Sequence, residues 1–256
     1  MNKNTRLKKR LLRCAVLVAV VFVVTFVISA FGAGLIDKLI LHNDGQNYAS
    51  VEHGWNLILI NKDNYIPEDY EVTLLKLSNG ERVDERIYPD LQQMFDDARA
   101  NGLALYVAHG YRTAGEQAIL LEQKQKAYEN EGNSPEEAKA LAEKWVAVPG
   151  TSEHQLGIAV DINADEEKSS PDEVYNWLAA NAHKYGFINR YPSDKTEITG
   201  IIYEPWHYRY VGVDEAKIIY ENNMTYEEYC AVYLYDSEYS LDKDRVWANV
   251  LQIFHK

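Results

Sequence analysis

Residues 14–36 read CAVLVAVVFVVTFVISAFGAGLI without a charge, whereas the rest of the chain mixes apolar and polar positions in the short periods of a folded domain. As a helix the 23-residue run spans about 34 Å at ~1.5 Å per residue, enough for a hydrocarbon core of ~30 Å. Residues 37–54 are polar and mixed and read as a tether, and the folded domain is placed at 55–235. Within it the apolar run 56–61 (NLILIN) has strand length. Residues 88–100 carry Leu91, Met94, Phe95 and Ala98 at helical spacing. Residues 103–108 (LALYVA) predict a strand and 114–131 a helix. A second helix is predicted over 134–146, where Ser134-Pro135-Glu136-Glu137 forms a cap with acids at the positive end. Residues 157–162 predict a strand, and 171–185 a helix stopped by Gly186. Short strands are predicted at 199–203 and 207–211, and helices at 214–221 and 226–235. Strands clustered after helices point to an α+β fold with a small, mostly antiparallel sheet. The tail 236–256 is polar, then weakly amphipathic. No internal repeat interrupts this order.

Charge orients the chain. Lys3, Arg6, Lys8, Lys9, Arg10 and Arg13 precede the apolar run and no acid accompanies them, so a net charge of −13 leaves −19 for the remainder. Basic residues 1–13 are expected to stay in the cytoplasm, which makes 14–36 a single-pass membrane anchor and puts the domain outside the cell. The rival reading is a cleaved signal peptide, whose apolar region usually runs only ~7–15 residues. So acidic a domain repels phosphate backbones and excludes a nucleic-acid partner. Of the two cysteines, Cys14 falls in the apolar run and Cys230 near the other end. No disulfide is expected, and Cys230 reads as a small buried hydrophobe.

Two separated stretches carry metal chemistry. In segment 152–161 (SEHQLGIAVD), Ile158, Val160 and Ile162 face one way, and Gly157, Ala159 and Asp161 the other. His154 lies seven residues before Asp161, so a bend near Gly157 is needed for the two to converge. In segment 203–211 (YEPWHYRYV), Pro205 sits between Glu204 and His207 and demands a kink or a sheet edge. Two histidines and one carboxylate leave a fourth zinc position open, as in catalytic sites. Glu204 beside such an ion can take a proton and later deliver it. A third stretch, His109-Gly110-Tyr111-Arg112-Thr113, puts Arg112 at a strand exit, where it can grip a terminal carboxylate or pair with one of the many acids. Neither a His-Glu-x-x-His helix nor a Gly-x-Ser-x-Gly elbow is present.

Taken in order, Gly110-Tyr111-Arg112, the Ser-x-His-x-x-Gly-x-Ala-x-Asp pattern from Ser152 to Asp161, and Glu-x-x-His from Glu204 to His207 resemble the VanY-like D-alanyl-D-alanine carboxypeptidase family of zinc peptidases. The likeness covers about residues 55–230. It implies one Zn2+ per chain on His154, Asp161 and His207, Glu204 as general base, and Arg112 against the substrate or the developing oxyanion. Ser152 and Gln117 are lesser candidates for the substrate pocket. It also implies a hedgehog/DD-peptidase-like fold and, as substrate, the D-alanine-ended peptidoglycan stem peptide. Position 109 departs from the pattern, with His109 where serine is commoner. His183 is read as a packing histidine. The expected activity is removal of a C-terminal D-alanine, with DD or LD preference open. A dipeptidase or endopeptidase using the same site, and a wall-binding module without catalysis, are the alternatives.

Overall fold

The computed structural model describes residues 47–234. Among these residues no helix is long and apolar enough to cross a membrane. The apolar run 14–36, Cys14 and the tail 236–256 lie outside them. Chain pairing begins before Trp55: Ala49 N–H donates to Tyr65 O (2.8 Å) and Tyr65 N–H to Asn47 O (2.6 Å).

The architecture is α+β. A two-stranded hairpin, β1 (Leu74–Lys76) and β2 (Arg82–Asp84), leads into α1 (Tyr88–Ala100). β3 (Leu105–His109) is followed by α2 (Ala114–Asn130) and α3 (Pro135–Ala142). Then come β4 (Ala159–Ala164), α4 (Pro171–Asn181), β5 (Phe187–Asn189) and the short α5 (Thr196–Thr199). β6 (His207–Tyr210), α6 (Val213–Glu221) and α7 (Tyr226–Tyr229) complete the order. β3, β4, β6 and β5 form, in that spatial order, a four-stranded sheet whose neighbours all run antiparallel.

One face of the sheet is core. Leu105 and Val107, Val160 and Ile162, and Phe187, Tyr208 and Tyr210 pack with Leu91, Met94, Phe95 and Ala98 of α1 and Val174 and Leu178 of α4. The α1 set follows the i, i+3, i+4, i+7 stripe that the sequence predicts. The opposite face, where alternation sends Ala159, Asp161, His207 and Arg209, belongs to the site. Ala159 stands opposite Arg209 and Asp161 opposite His207. Helix starts follow the capping logic of P-free and Pro-led turns alike: Thr113, Ser134, Ser170 and Thr225 each form a reciprocal box with a glutamate three residues on.

The structure corrects several expected elements. Residues 57–60 are buried, but 56–61 are not a strand. Leu57 and Leu59 enter a second cluster with Val211, Ile219, Tyr226 and Cys230, while Ile58 and Ile60 enter the main one. Arg209 Nη2 donates to the carbonyls of Asn56 (3.0 Å) and Ile58 (2.9 Å), so a side chain supplies donors that a ladder would otherwise provide. Residues 199–203 form no strand either: α5 ends at Gly200, and Ile202 N–H donates to Lys144 O (3.1 Å). The helix expected over 134–146 stops at Ala142, and that over 171–185 tightens into a 3-10 turn at Ala182–Tyr185. Beyond α7 the chain continues as a single π turn, Cys230–Leu234, in which Cys230 is free and buried. The hairpin β1–β2 and strand β5 were not expected. Each strand has three residues, too few for alternation to register, and Asn79-Gly80 is the one local signal for the hairpin turn.

Gly110 locks the hairpin against β3. A Cβ at this position would stand 2.1 Å from Arg82 O, and Tyr111 N–H donates to that same carbonyl (2.5 Å). Because the obstacle is backbone, Gly110→Ala is expected to destabilise the fold by about 1–3 kcal/mol, the usual cost of overpacking. Thermal unfolding checks this; an unchanged Tm would show that the hairpin can move away freely.

Candidate metal centre

Three local features bring the ligand atoms together. Asp161 and His207 are register partners on β4 and β6, and their side chains share a face. His207 Nδ1 lies 2.9 Å from Asp161 Oδ1. His154 comes from a 3-10 turn, Glu153–Leu156, whose end is reversed by Gly157 in the left-handed region (φ 76°). This is the bend that the sequence requires, and a side chain there would be strained. It carries His154 Nε2 to 3.4 Å from Asp161 Oδ1. His154, Asp161 and His207 are all buried, and one ligand atom from each lies within 4.8 Å of the others.

Hydrogen bonds settle which nitrogens face inward. Gly110 O can only accept, so His154 Nδ1 (2.7 Å) carries the proton there and Nε2 is left with its lone pair. His207 turns Nδ1 to Asp161 and Nε2 to Glu153 Oε2, 3.6 Å away. Two imidazole nitrogens and a carboxylate oxygen converging at this separation fit a small dication such as zinc.

Around the three ligands lies a cleft of about 580 Å³, lined among others by His109, Arg112, Ser152, Glu204 and Trp206. Glu204 is buried at its edge. Arg112 Nη2 lies 3.8 Å from Asp161 Oδ2, and its Nη1 donates to Gln117 Oε1 (2.8 Å). Gln117 is itself buried and donates to Ala147 O (2.7 Å), so it braces Arg112 from behind. Ser152 is buried in the cleft wall, and His109 is exposed at the rim. His183 stacks on Tyr220 with ring centroids 3.7 Å apart and takes no part in the cluster.

The residues that sequence reasoning missed lie behind His207. Glu153, Arg190 and Arg209 are almost wholly buried. Glu153 Oε1 accepts from Arg190 Nε (2.9 Å) and Arg209 Nη1 (2.8 Å), and Arg190 also pairs with Glu227. An acid next to a ligand histidine, and an arginine two residues after the other one, were the available signals.

Electrostatics follow from burial and pairing. Burial raises the Glu204 carboxyl, and Asp161 adds to this against the opposing His207 and Arg112, bringing it to about 7. Burial alone would lower His207, but its hydrogen bond to Asp161 and the Glu153 carboxylate close by outweigh that and raise it to about 9. Burial lowers His154 despite Asp161 beside it. Burial works against ionisation of Asp161 and Glu153, yet the two histidines hold Asp161, and the two arginines hold Glu153, well below the usual carboxylate range.

The VanY family model, D-alanyl-D-alanine carboxypeptidase, matches residues 80–213, which contain every one of the cleft residues named above. The chain belongs to the VanY family. A D-alanyl-D-alanine carboxypeptidase of Enterococcus faecalis is 56% identical over 178 residues, covering 70% of this chain and 66% of that relative. The chain therefore spans about two thirds of its length. Among solved structures, VanYB in complex with D-alanine-D-alanine is 55% identical, with a TM-score of 0.69 over 70% of this chain and 99% of that one. A mutant of the vancomycin-resistance D,D-pentapeptidase VanY in complex with Zn(II) is 56% identical, with a TM-score of 0.68 over 68% and 98%. These VanY likenesses agree with the α+β sheet and the His-Asp-His cluster found here.

Metal uptake is expected to release protons. With His207 raised to about 9, its ring carries a proton near neutral pH that coordination of a metal through Nδ1 would expel. Close to one proton should leave per Zn(II) bound near pH 7, and apparent affinity should rise about tenfold per pH unit until about 9. Titration in weakly buffered solution measures both, and binding without proton release would contradict this charge state.

Proposed function

We propose that this chain is a zinc-dependent D-alanyl-D-alanine carboxypeptidase that trims the D-alanine-ended stem peptides of peptidoglycan. The observation that carries the reading is the convergence of His154, Asp161 and His207 at the floor of a cleft that also holds a buried carboxyl near neutrality. Relatives named for that activity, one of them bound to D-alanine-D-alanine, support the D,D form over the L,D form. In this reading residues 14–36 anchor the chain in the cell membrane, residues 1–13 stay in the cytoplasm, and the domain works outside, beside the wall.

His154 Nε2, His207 Nδ1 and one Asp161 oxygen are the proposed ligands. A zinc ion held there would polarise the scissile carbonyl and acidify water from ~15.7 towards ~7. Glu204 is poised for the proton: its carboxylate accepts it from the attacking water and returns it to the departing D-alanine amine. A group titrating near 7 can do both at neutral pH. Arg112, aimed into the cleft by Gln117, offers two donors to the substrate carboxylate or to the developing oxyanion. Ser152 lies close enough to line the same pocket.

The test is incubation of the zinc-loaded protein with a stem pentapeptide and a stem tetrapeptide. Release of one D-alanine from the pentapeptide is the expected result. Internal cleavage or release of the dipeptide would instead favour an endopeptidase or dipeptidase, and no cleavage of either peptide with zinc bound would overturn the reading. Glu204→Gln should keep zinc and lose turnover by about 10²–10⁴-fold, the usual contribution of a general base.

A further inference from the structure

His207 has two ring nitrogens and only Nδ1 faces the other ligands. Its Nε2 is fully buried and has no hydrogen-bond partner, and the same holds for Glu153 Oε2. The two orphans face each other at 3.6 Å. Nothing else competes for either. The other oxygen of Glu153 is fully engaged, since Oε1 accepts from Arg190 Nε (2.9 Å) and Arg209 Nη1 (2.8 Å). Arg209 is fixed in turn by the carbonyls of Asn56, Ile58 and Tyr210, and Arg190 by Glu227. The His207 ring is held between His154 and Tyr191, with centroids 4.9 and 5.0 Å away.

We propose that Glu153 is the positioning residue that sets the tautomer of His207, accepting the Nε2 proton so that the Nδ1 lone pair is directed at the metal. The inference rests on the ligand role given to His207 above and extends it to a residue outside the ligand set. Buried carboxylates behind metal-bound histidines act in this way generally, fixing ring orientation and raising ligand basicity. Here the carboxylate is pinned from the far side by two guanidiniums, so its free oxygen cannot turn away from His207.

Glu153→Gln isolates the effect. Arg190 and Arg209 still require an acceptor, so the amide oxygen takes the place of Oε1 and the NH2 group takes that of Oε2. A donor then faces His207 Nε2, which pushes the ring proton to Nδ1, where it blocks the metal. The full-length variant is expected to bind Zn(II) about 10–100-fold more weakly in competition with a chromophoric chelator. In the zinc-loaded parent, long-range 1H–15N NMR should show the His207 proton on Nε2 and Nδ1 as the coordinating atom. That spectrum needs no variant, so it decides the matter even if Glu153→Gln does not fold. A parent with bare Nε2, or a folded variant that holds zinc as tightly as the parent, overturns the proposal. Peptide cleavage is read separately. Zinc bound through Nδ1 without D-alanine release would sink the carboxypeptidase reading and leave this inference standing. D-alanine release by a parent whose Glu153→Gln variant keeps full zinc affinity would do the reverse.

Discussion

The site depends on one register. In an antiparallel pair, opposite residues share a face with Cβ atoms about 4.5–5.5 Å apart, close enough for a carboxylate and an imidazole to touch. The pairing of β4 with β6 places Asp161 opposite His207. A slip of β6 by one residue would turn His207 into the apolar layer and bring Tyr208 outward, away from Asp161, which the packing of that layer forbids. The hydrophobic alternation that builds the core is therefore also what specifies the ligand pair. His154 is the one member of the cluster that a ladder cannot supply, and it needs the reversal at Gly157 and the carbonyl of Gly110 to reach the others.

Concentrating charge in a buried place is costly, and the structure shows how the cost is met. Glu153 and Glu227 answer Arg190 and Arg209, so the layer behind His207 is balanced, and each guanidinium has its donors occupied by carboxylates or carbonyls. Arg112 is braced by Gln117 while leaning on Asp161. Glu204 is treated differently. Burial dominates its surroundings, and its carboxyl is held near neutrality. One acid, Asp161, is thus kept charged and another, Glu204, is kept near neutrality, in the same cleft, by environment alone, the division of labour that the proposed ligand and proton-transfer roles require.

Most of the site could be read in the sequence because it lies in short segments with strong local constraints. The alternation from Ile158 to Ile162 assigned Asp161 to the non-core face, and the spacing of His154 required a bend where Gly157 supplies one. Helix α1 was legible from its stripe, and the start of α3 from its cap. What could not be read were the long-range partners. The run 56–61 looks like a strand because it is apolar, yet its carbonyls are taken by Arg209, about 150 positions away in the chain. The Glu153–Arg190–Arg209 contact joins three segments; Glu153 and Arg209 are marked only by their closeness in sequence to His154 and His207, and no local pattern distinguishes Arg190 from a surface charge. Gln117 was read as a lesser candidate for the substrate pocket; it lines the cleft, and its amide also joins Arg112 to the Ala147 carbonyl. The membrane anchor rests on composition and lies outside the described residues.

Zinc K-edge X-ray absorption on the zinc-loaded, full-length protein tests the central claim most directly, because it reads the donor set without presuming any reaction. The account predicts light-atom scatterers at about 2.0–2.1 Å with the multiple-scattering signature of two imidazoles. A spectrum with one imidazole or none, or with a sulfur shell at about 2.3 Å, would contradict it.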